Sequence, residues 1–194
     1  MTKCSFCDLS GTHKIIYEDE LLWVVNDVYP LRTGHRLIVP KLHLLSFATF
    51  HNCHHVLRVL TRCAAHYNTV MGGLVAYEHG NREENHSAEP SIDHAHIHLL
   101  PPPQQPLALG PEWVPDESLT NIFVRCRNEA YHWVKVGDDR FYYTVRQLPS
   151  QFFRQLYSTN HCITRWNWKD RAGDWSASWS TGEMQALQRT LCQD

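Results

Sequence analysis

The chain has 194 residues, with 18 Lys and Arg against 20 Asp and Glu, a net charge of −2 and 43% hydrophobic residues. This is an ordinary globular composition, long enough to bury one core and still carry an extension. The charge balance argues against an extended nucleic-acid surface, which needs a basic patch. No long apolar run follows Met1, so neither a signal peptide nor a membrane span is predicted, and a soluble, cytoplasmic protein is expected.

Seven cysteines is an odd number, and without a secretory signal it favours reduced thiols over a disulfide framework. Cys4 and Cys7 have the two-residue spacing that lets two thiolates face one metal ion; a redox pair is the competing reading, but no βαβ pattern surrounds it. Residues 14–19 and 21–26 read as a hairpin turning at Asp19-Glu20, with β-branched and aromatic residues in its second strand. Asp27-Val28-Tyr29-Pro30 breaks that strand, because proline has no N–H for the ladder, and residues 34–40 begin another. From Ser46 to about Met71, Phe47, Phe50, Cys53, Leu57, Leu60, Ala64, Tyr67 and Met71 recur at steps of three and four. This predicts one long helix, ended by Gly72-Gly73, whose apolar stripe packs on a sheet. His51, His54, His55 and His66 on it read as surface or partly packed residues. Residues 74–78 are the next strand, and residues 81–90 a polar loop of the kind that sets specificity beside a site.

The stretch Asp93-His94-Ala95-His96-Ile97-His98-Leu99-Leu100 follows. Side chains alternate along an extended strand, so His94, His96 and His98 share one face while Ala95, Ile97 and Leu99 face a core. Such a spacing would arise by chance only about 0.07 times in a chain of this histidine content. The imidazoles can ligate a metal, serve as ordinary packed side chains, or supply a nucleophile whose neighbours fix its tautomer and meet the charge of a phosphate.

The run His-apolar-His-apolar-His-apolar-apolar, present at residues 94–100 without departure, resembles the signature of the histidine-triad (HIT) superfamily of nucleotide hydrolases and transferases. The resemblance implies that His96 is the nucleophile, that His94 and His98 complete the catalytic set, and that His35 braces it. It also implies a structural zinc held by Cys4, Cys7, His94 and His43, a tetrahedral two-cysteine, two-histidine site. Asp27, beside Asn26, holds the position of a residue that binds ribose hydroxyls, and a carboxylate can accept from both. Glu78 stands where other members place an Asn or Gln against phosphate or ribose, a departure that puts the substrate in question because a carboxylate repels phosphate. Ser91 keeps the small hydroxyl residue three before the first histidine.

Pro101-Pro102-Pro103-Gln104-Gln105-Pro106 is a stiff exit, and the boundary is placed there: residues 1–105 as a HIT-like catalytic domain, residues 106–194 as an extension packed on it. The extension holds six of the seven tryptophans. Residues 115–130 read as a helix, 131–136 and 141–147 as a hairpin, and 150–157 as a short helix, with Trp166, Trp168 and Trp175 closing the chain. Arg154 and Arg165 are candidate cations for a second phosphate.

The predicted fold is α+β: an antiparallel sheet of about five strands with one long helix, plus a Trp-rich α/β extension. The predicted activity is a nucleotide hydrolase or nucleotidyltransferase acting at the α-phosphate of a phosphoramidate, dinucleoside polyphosphate or nucleotide sugar, through a covalent nucleotidyl-histidine on His96. A zinc hydrolase using the three histidines as ligands and a non-enzymatic nucleotide-binding module are the alternatives. The partner is a small nucleotide substrate, with no membrane and a homodimer compatible with the family; no organic cofactor is expected.

Overall fold

The computed structural model describes residues 4–9, 14–83, 92–137, 140–149, 151–161, 163, 166–167 and 181–192. Its centre is one sheet of eight strands in the order β1-β2-β3-β5-β4-β7-β8-β6, every neighbouring pair antiparallel. The predicted hairpin is β1 (Ile15–Glu18) with β2 (Leu22–Asn26), followed by β3 (Arg36–Pro40), β4 (Val75–Gly80) and β5 (Ile97–Leu100). The extension then adds β6 (Val114–Asp116), β7 (Tyr131–Val136) and β8 (Arg140–Thr144) to the same sheet, because β7 pairs along the outer edge of β4. The sheet therefore has eight strands rather than about five: the extension covers an edge that would otherwise expose unpaired N–H and C=O groups.

Alternation sorts the side chains onto two faces. One carries Leu22, Val24, Ile38, Ala76, Ile97, Leu99, Tyr131 and Trp133 into the largest core, beneath α1 (Cys53–Met71), α2 (Leu119–Arg125) and α4 (Thr181–Leu191). The other carries Val75, Tyr77, Leu100 and Val134, packed by Trp113 and by Phe153 and Tyr157 of α3 (Phe152–Thr159). At its far end, Val25, Leu37 and Val39 are covered by Phe6 and Leu9 of the N-terminal segment. The triad face thus lies between two apolar covers, one from each end of the chain.

The long helix starts later than predicted. Residues 47–49 form a 3-10 turn, and α1 begins at Cys53 behind Asn52, whose side chain caps the His55 N–H at 3.3 Å. Phe47 is instead tied to the sheet, its N–H donating to the Glu78 carboxylate at 2.7 Å. The buried face of α1 is Val56, Val59, Leu60, Cys63, His66 and Tyr67, so His66 is the packed one of the helix histidines. Gly72 ends the helix in the left-handed conformation, φ +76°, as predicted. In the extension, the predicted helix over 115–130 is instead a short strand, β6, and the seven-residue α2. Trp168 and Trp175 lie outside the described residues.

Candidate active site

His94 and His96 stand just before β5 and His98 lies on it, with Ala95, Ile97 and Leu99 buried in the large core behind them. Hydrogen bonds fix the tautomers. His96 Nδ1 lies 2.8 Å from the His94 carbonyl, which can only accept, so Nδ1 carries the proton and the neutral ring keeps its lone pair on Nε2. The Leu31 N–H donates to His35 Nδ1 at 3.1 Å, so the His35 proton is on Nε2. That N–H faces His98 Nδ1 at 2.8 Å and the Asp27 carboxylate at 3.2 Å, which leaves His98 with a bare Nδ1 and its proton on Nε2. Burial, then the neighbouring His96, His35 and Arg154, push the His98 pKa well below the ordinary imidazole value. The result is one imidazole whose lone pair lies on Nε2 beside another whose proton lies on Nε2, their ring centroids 4.7 Å apart.

A second cluster ties the N-terminus to the first triad histidine. The Cys4 and Cys7 sulfurs lie 3.5 and 3.6 Å from His94 Nδ1, and Cys7 Sγ lies 3.1 Å from His43 Nδ1. All four ligand atoms fall within 4.8 Å of one another. A zinc ion with ordinary Zn–S and Zn–N bonds at a tetrahedral angle separates sulfur from nitrogen by about 3.6 Å, so the residues fit such an ion. His94 Nε2–H donates to the Pro40 carbonyl at 2.8 Å, which turns Nδ1 toward the sulfurs as a ligand requires. Among the described residues, the three triad imidazoles form no such ligand group.

The HIT-domain family model matches residues 10–105. The chain belongs to the histidine-triad superfamily. No curated protein matches it. Among solved structures it is similar to a Zn-bound histidine triad family protein from Mycobacterium smegmatis, at 25% identity over 51% of this chain and 74% of that one, TM-score 0.42. A HIT family hydrolase from Clostridium thermocellum aligns at 23% identity over 55% and 96%, TM-score 0.40. A hypothetical histidine triad nucleotide-binding protein from Sulfolobus tokodaii aligns at 16% over 91% and 100%, TM-score 0.42. Family membership rests on the domain match.

Not every residue predicted for the HIT site is brought to it. Glu78 is fully buried on the opposite face of the sheet, where it accepts from the Phe47 N–H, the Tyr131 hydroxyl and the Trp133 indole, each at 2.7 Å. Burial raises its pKa to about 7 against the pull of those three donors. Asn26 also points away, its amide 3.6 Å from Met184 of α4. Ser91 and Arg165 lie outside the described residues. Asp27 does reach the triad, but as the partner of His35 and Arg154. Burial works to raise its pKa, and His35, Arg154 and the Tyr29 N–H hold it below the ordinary carboxylate value.

Several residues that sequence reasoning passed over also lie here. His79, on the opposite side of β4 from Glu78, stacks on His132 of β7 at 4.2 Å; burial and then His96 push its pKa down to about 4. Strand alternation alone would have placed His79 on the triad face and Glu78 off it. Phe6, between the two cysteines, sets its ring against His96 at 5.1 Å, and Tyr77 stacks between His98 and Phe153, 4.5 Å from each.

Proposed function

We propose that this protein is a nucleotide hydrolase or nucleotidyltransferase that acts at the α-phosphate of a nucleotide conjugate through His96. The observation that supports this most is the hydrogen bond from His96 Nδ1–H to the His94 carbonyl, because it leaves the Nε2 lone pair as the ring's nucleophile. In the reaction, His96 Nε2 forms a bond to phosphorus as the bond to the leaving group breaks and takes its electron pair with it. Water or another acceptor then displaces the histidine. The Nε2–H of His98 is placed to meet charge on the non-bridging oxygens, and His35 fixes that proton. Splitting one displacement into two suits a chemistry dominated by positioning and charge stabilisation.

In the same reading, residues 1–105 form the catalytic unit and residues 106–194 an extension of it. Cys4, Cys7, His43 and His94 hold a structural zinc; a closed site of this kind contributes rigidity and no open coordination position. Reduced thiols of this sort favour the cytoplasm. The rival in which His94, His96 and His98 share a catalytic zinc is disfavoured because His94 Nδ1 faces the two cysteine sulfurs and, among the described residues, the three imidazoles form no ligand group.

The test is turnover of a panel of nucleoside phosphoramidates, dinucleoside polyphosphates and nucleotide sugars by the wild type and His96→Ala. The proposal expects a loss of at least about a thousandfold in the variant. Undiminished turnover refutes it, and tight binding without turnover in the wild type favours a binding module.

A further inference from the structure

We propose that Arg154, supplied by helix α3 of the extension, is a positioning residue for the triad: with Asp27 it fixes which nitrogen of His98 carries the proton, and Asp27 is thereby withdrawn from ribose binding.

The geometry starts from the guanidinium. Arg154 Nη1 donates to Asp27 Oδ2 at 3.2 Å, Nη2 to the Tyr29 carbonyl at 2.6 Å and Nε to the Trp166 carbonyl at 3.0 Å. With the residue 6% exposed, all three nitrogens face acceptors of the chain itself, and Arg154 is not the free cation for a second phosphate that the sequence suggests. Its planar fork holds one carboxylate and two carbonyls in a fixed arrangement that a lysine ammonium cannot reproduce.

Asp27 is closed on both sides. Oδ1 accepts from the Tyr29 N–H at 2.8 Å, Oδ2 faces Arg154 and His35, and the side chain keeps only 7% of its surface exposed. A ribose diol needs open carboxylate oxygens, and these are enclosed. What the carboxylate does instead follows from charge. A negative oxygen 3.2 Å from His35 Nε2 favours a proton on that nitrogen, in agreement with the Leu31 N–H that requires a bare Nδ1. His35 Nε2–H then obliges His98 to accept at Nδ1 and carry its own proton on Nε2. Removing the Arg154 charge from a carboxylate this deeply buried favours its protonation, and His35 then keeps only the Leu31 N–H to hold its tautomer.

The kinetic consequences rest on the reaction proposed above; the tautomer itself does not, so the decisive experiment reads the ligand-free protein. Long-range ¹H–¹⁵N correlation on ¹⁵N-histidine protein should give His98 a bare Nδ1 and a protonated Nε2 in the wild type. Arg154→Met and Asp27→Asn should shift the His98 signals toward a mixture of tautomers, with Arg154→Lys between. Where Arg154→Met does not fold, Asp27→Asn and Arg154→Lys carry the measurement. With a turned-over substrate, kcat should fall about 10- to 100-fold in Arg154→Met while KM stays within about threefold. Wild-type KM should differ by no more than about threefold between ribo- and 2′,3′-dideoxynucleotide substrates. Unchanged His98 signals in the folded variants overturn the proposal. So does a rise in KM with kcat preserved, or a loss of about thirtyfold or more in kcat/KM when the hydroxyls are removed.

Discussion

Replacing Glu78 by glutamine separates a structural carboxylate from a substrate-facing one. In the folded protein the carboxyl accepts three hydrogen bonds at full burial, yet keeps its proton up to a pKa of about 7. In the unfolded chain it titrates near 4.5. The folded state therefore holds the proton more tightly, and the associated stability is complete below pH 4.5 and lost as the pH rises toward 7. Moving the ionisation from 4.5 to about 7 corresponds to about 3 kcal/mol. Glutamine has no such titration, but its NH2 sets a donor against the Trp133 indole, itself only a donor, at a cost of about 2 kcal/mol. Glu78→Gln should thus be less stable than the wild type by about 1 kcal/mol at pH 5, and more stable than it by about 1 kcal/mol at pH 8. Urea unfolding followed by tryptophan fluorescence at the two pH values measures this, and titrations common to both proteins cancel in the difference. Because Glu78 lies on the face away from the triad, kcat/KM of the folded variant should stay within about threefold of the wild type. An equal penalty at both pH values, or a tenfold loss of kcat/KM in folded protein, would refute the reasoning.

Metal content gives a second check. The purified protein should carry about one zinc per chain by elemental analysis, and Cys4→Ser or Cys7→Ser should lower both the metal content and the melting temperature. Full metal retention in both variants would rule out the four-residue site. A third prediction concerns His132, which is buried with its pKa pushed down to about 3, first by burial and then by His79. A histidine that stays neutral when folded but titrates near 6.5 when unfolded loses stability as the pH falls, by about 1.4 kcal/mol at pH 5.5. His132→Asn should therefore show a shallower fall in stability between pH 7.5 and 5.5; an identical fall contradicts the assignment. Finally, His96→Ala removes a half-buried side chain and should change unfolding stability by no more than about 1 kcal/mol while abolishing turnover.

The residues that announced themselves in the sequence did so through local rules. Alternation at 94–100 separated the imidazoles from Ala95, Ile97 and Leu99, and the β1–β2 hairpin followed from its turn and its β-branched second strand. Other features depend on partners far away in the chain. Phe47 and Phe50 fit a helical stripe, yet Phe47 is held by Glu78, 31 residues on, and the helix waits for the Asn52 cap. The placement of Glu78 was readable from alternation, because His79 rather than Glu78 shares a face with Tyr77 and the triad, but the resemblance drew attention to the wrong member of the pair. The bond between Arg154 and Asp27 spans 127 residues and arises only because the extension lays α3 across the triad face. No spacing rule reaches that far, and the same is true of β7 joining the edge of β4.

The most direct measurement is intact and peptide mass spectrometry of the protein quenched after brief exposure to a nucleoside phosphoramidate. A mass increase of one nucleotidyl group, labile to acid and mapped to His96, is the predicted result. Turnover of that substrate with no adduct at any quench time, or an adduct on a different residue, would contradict it.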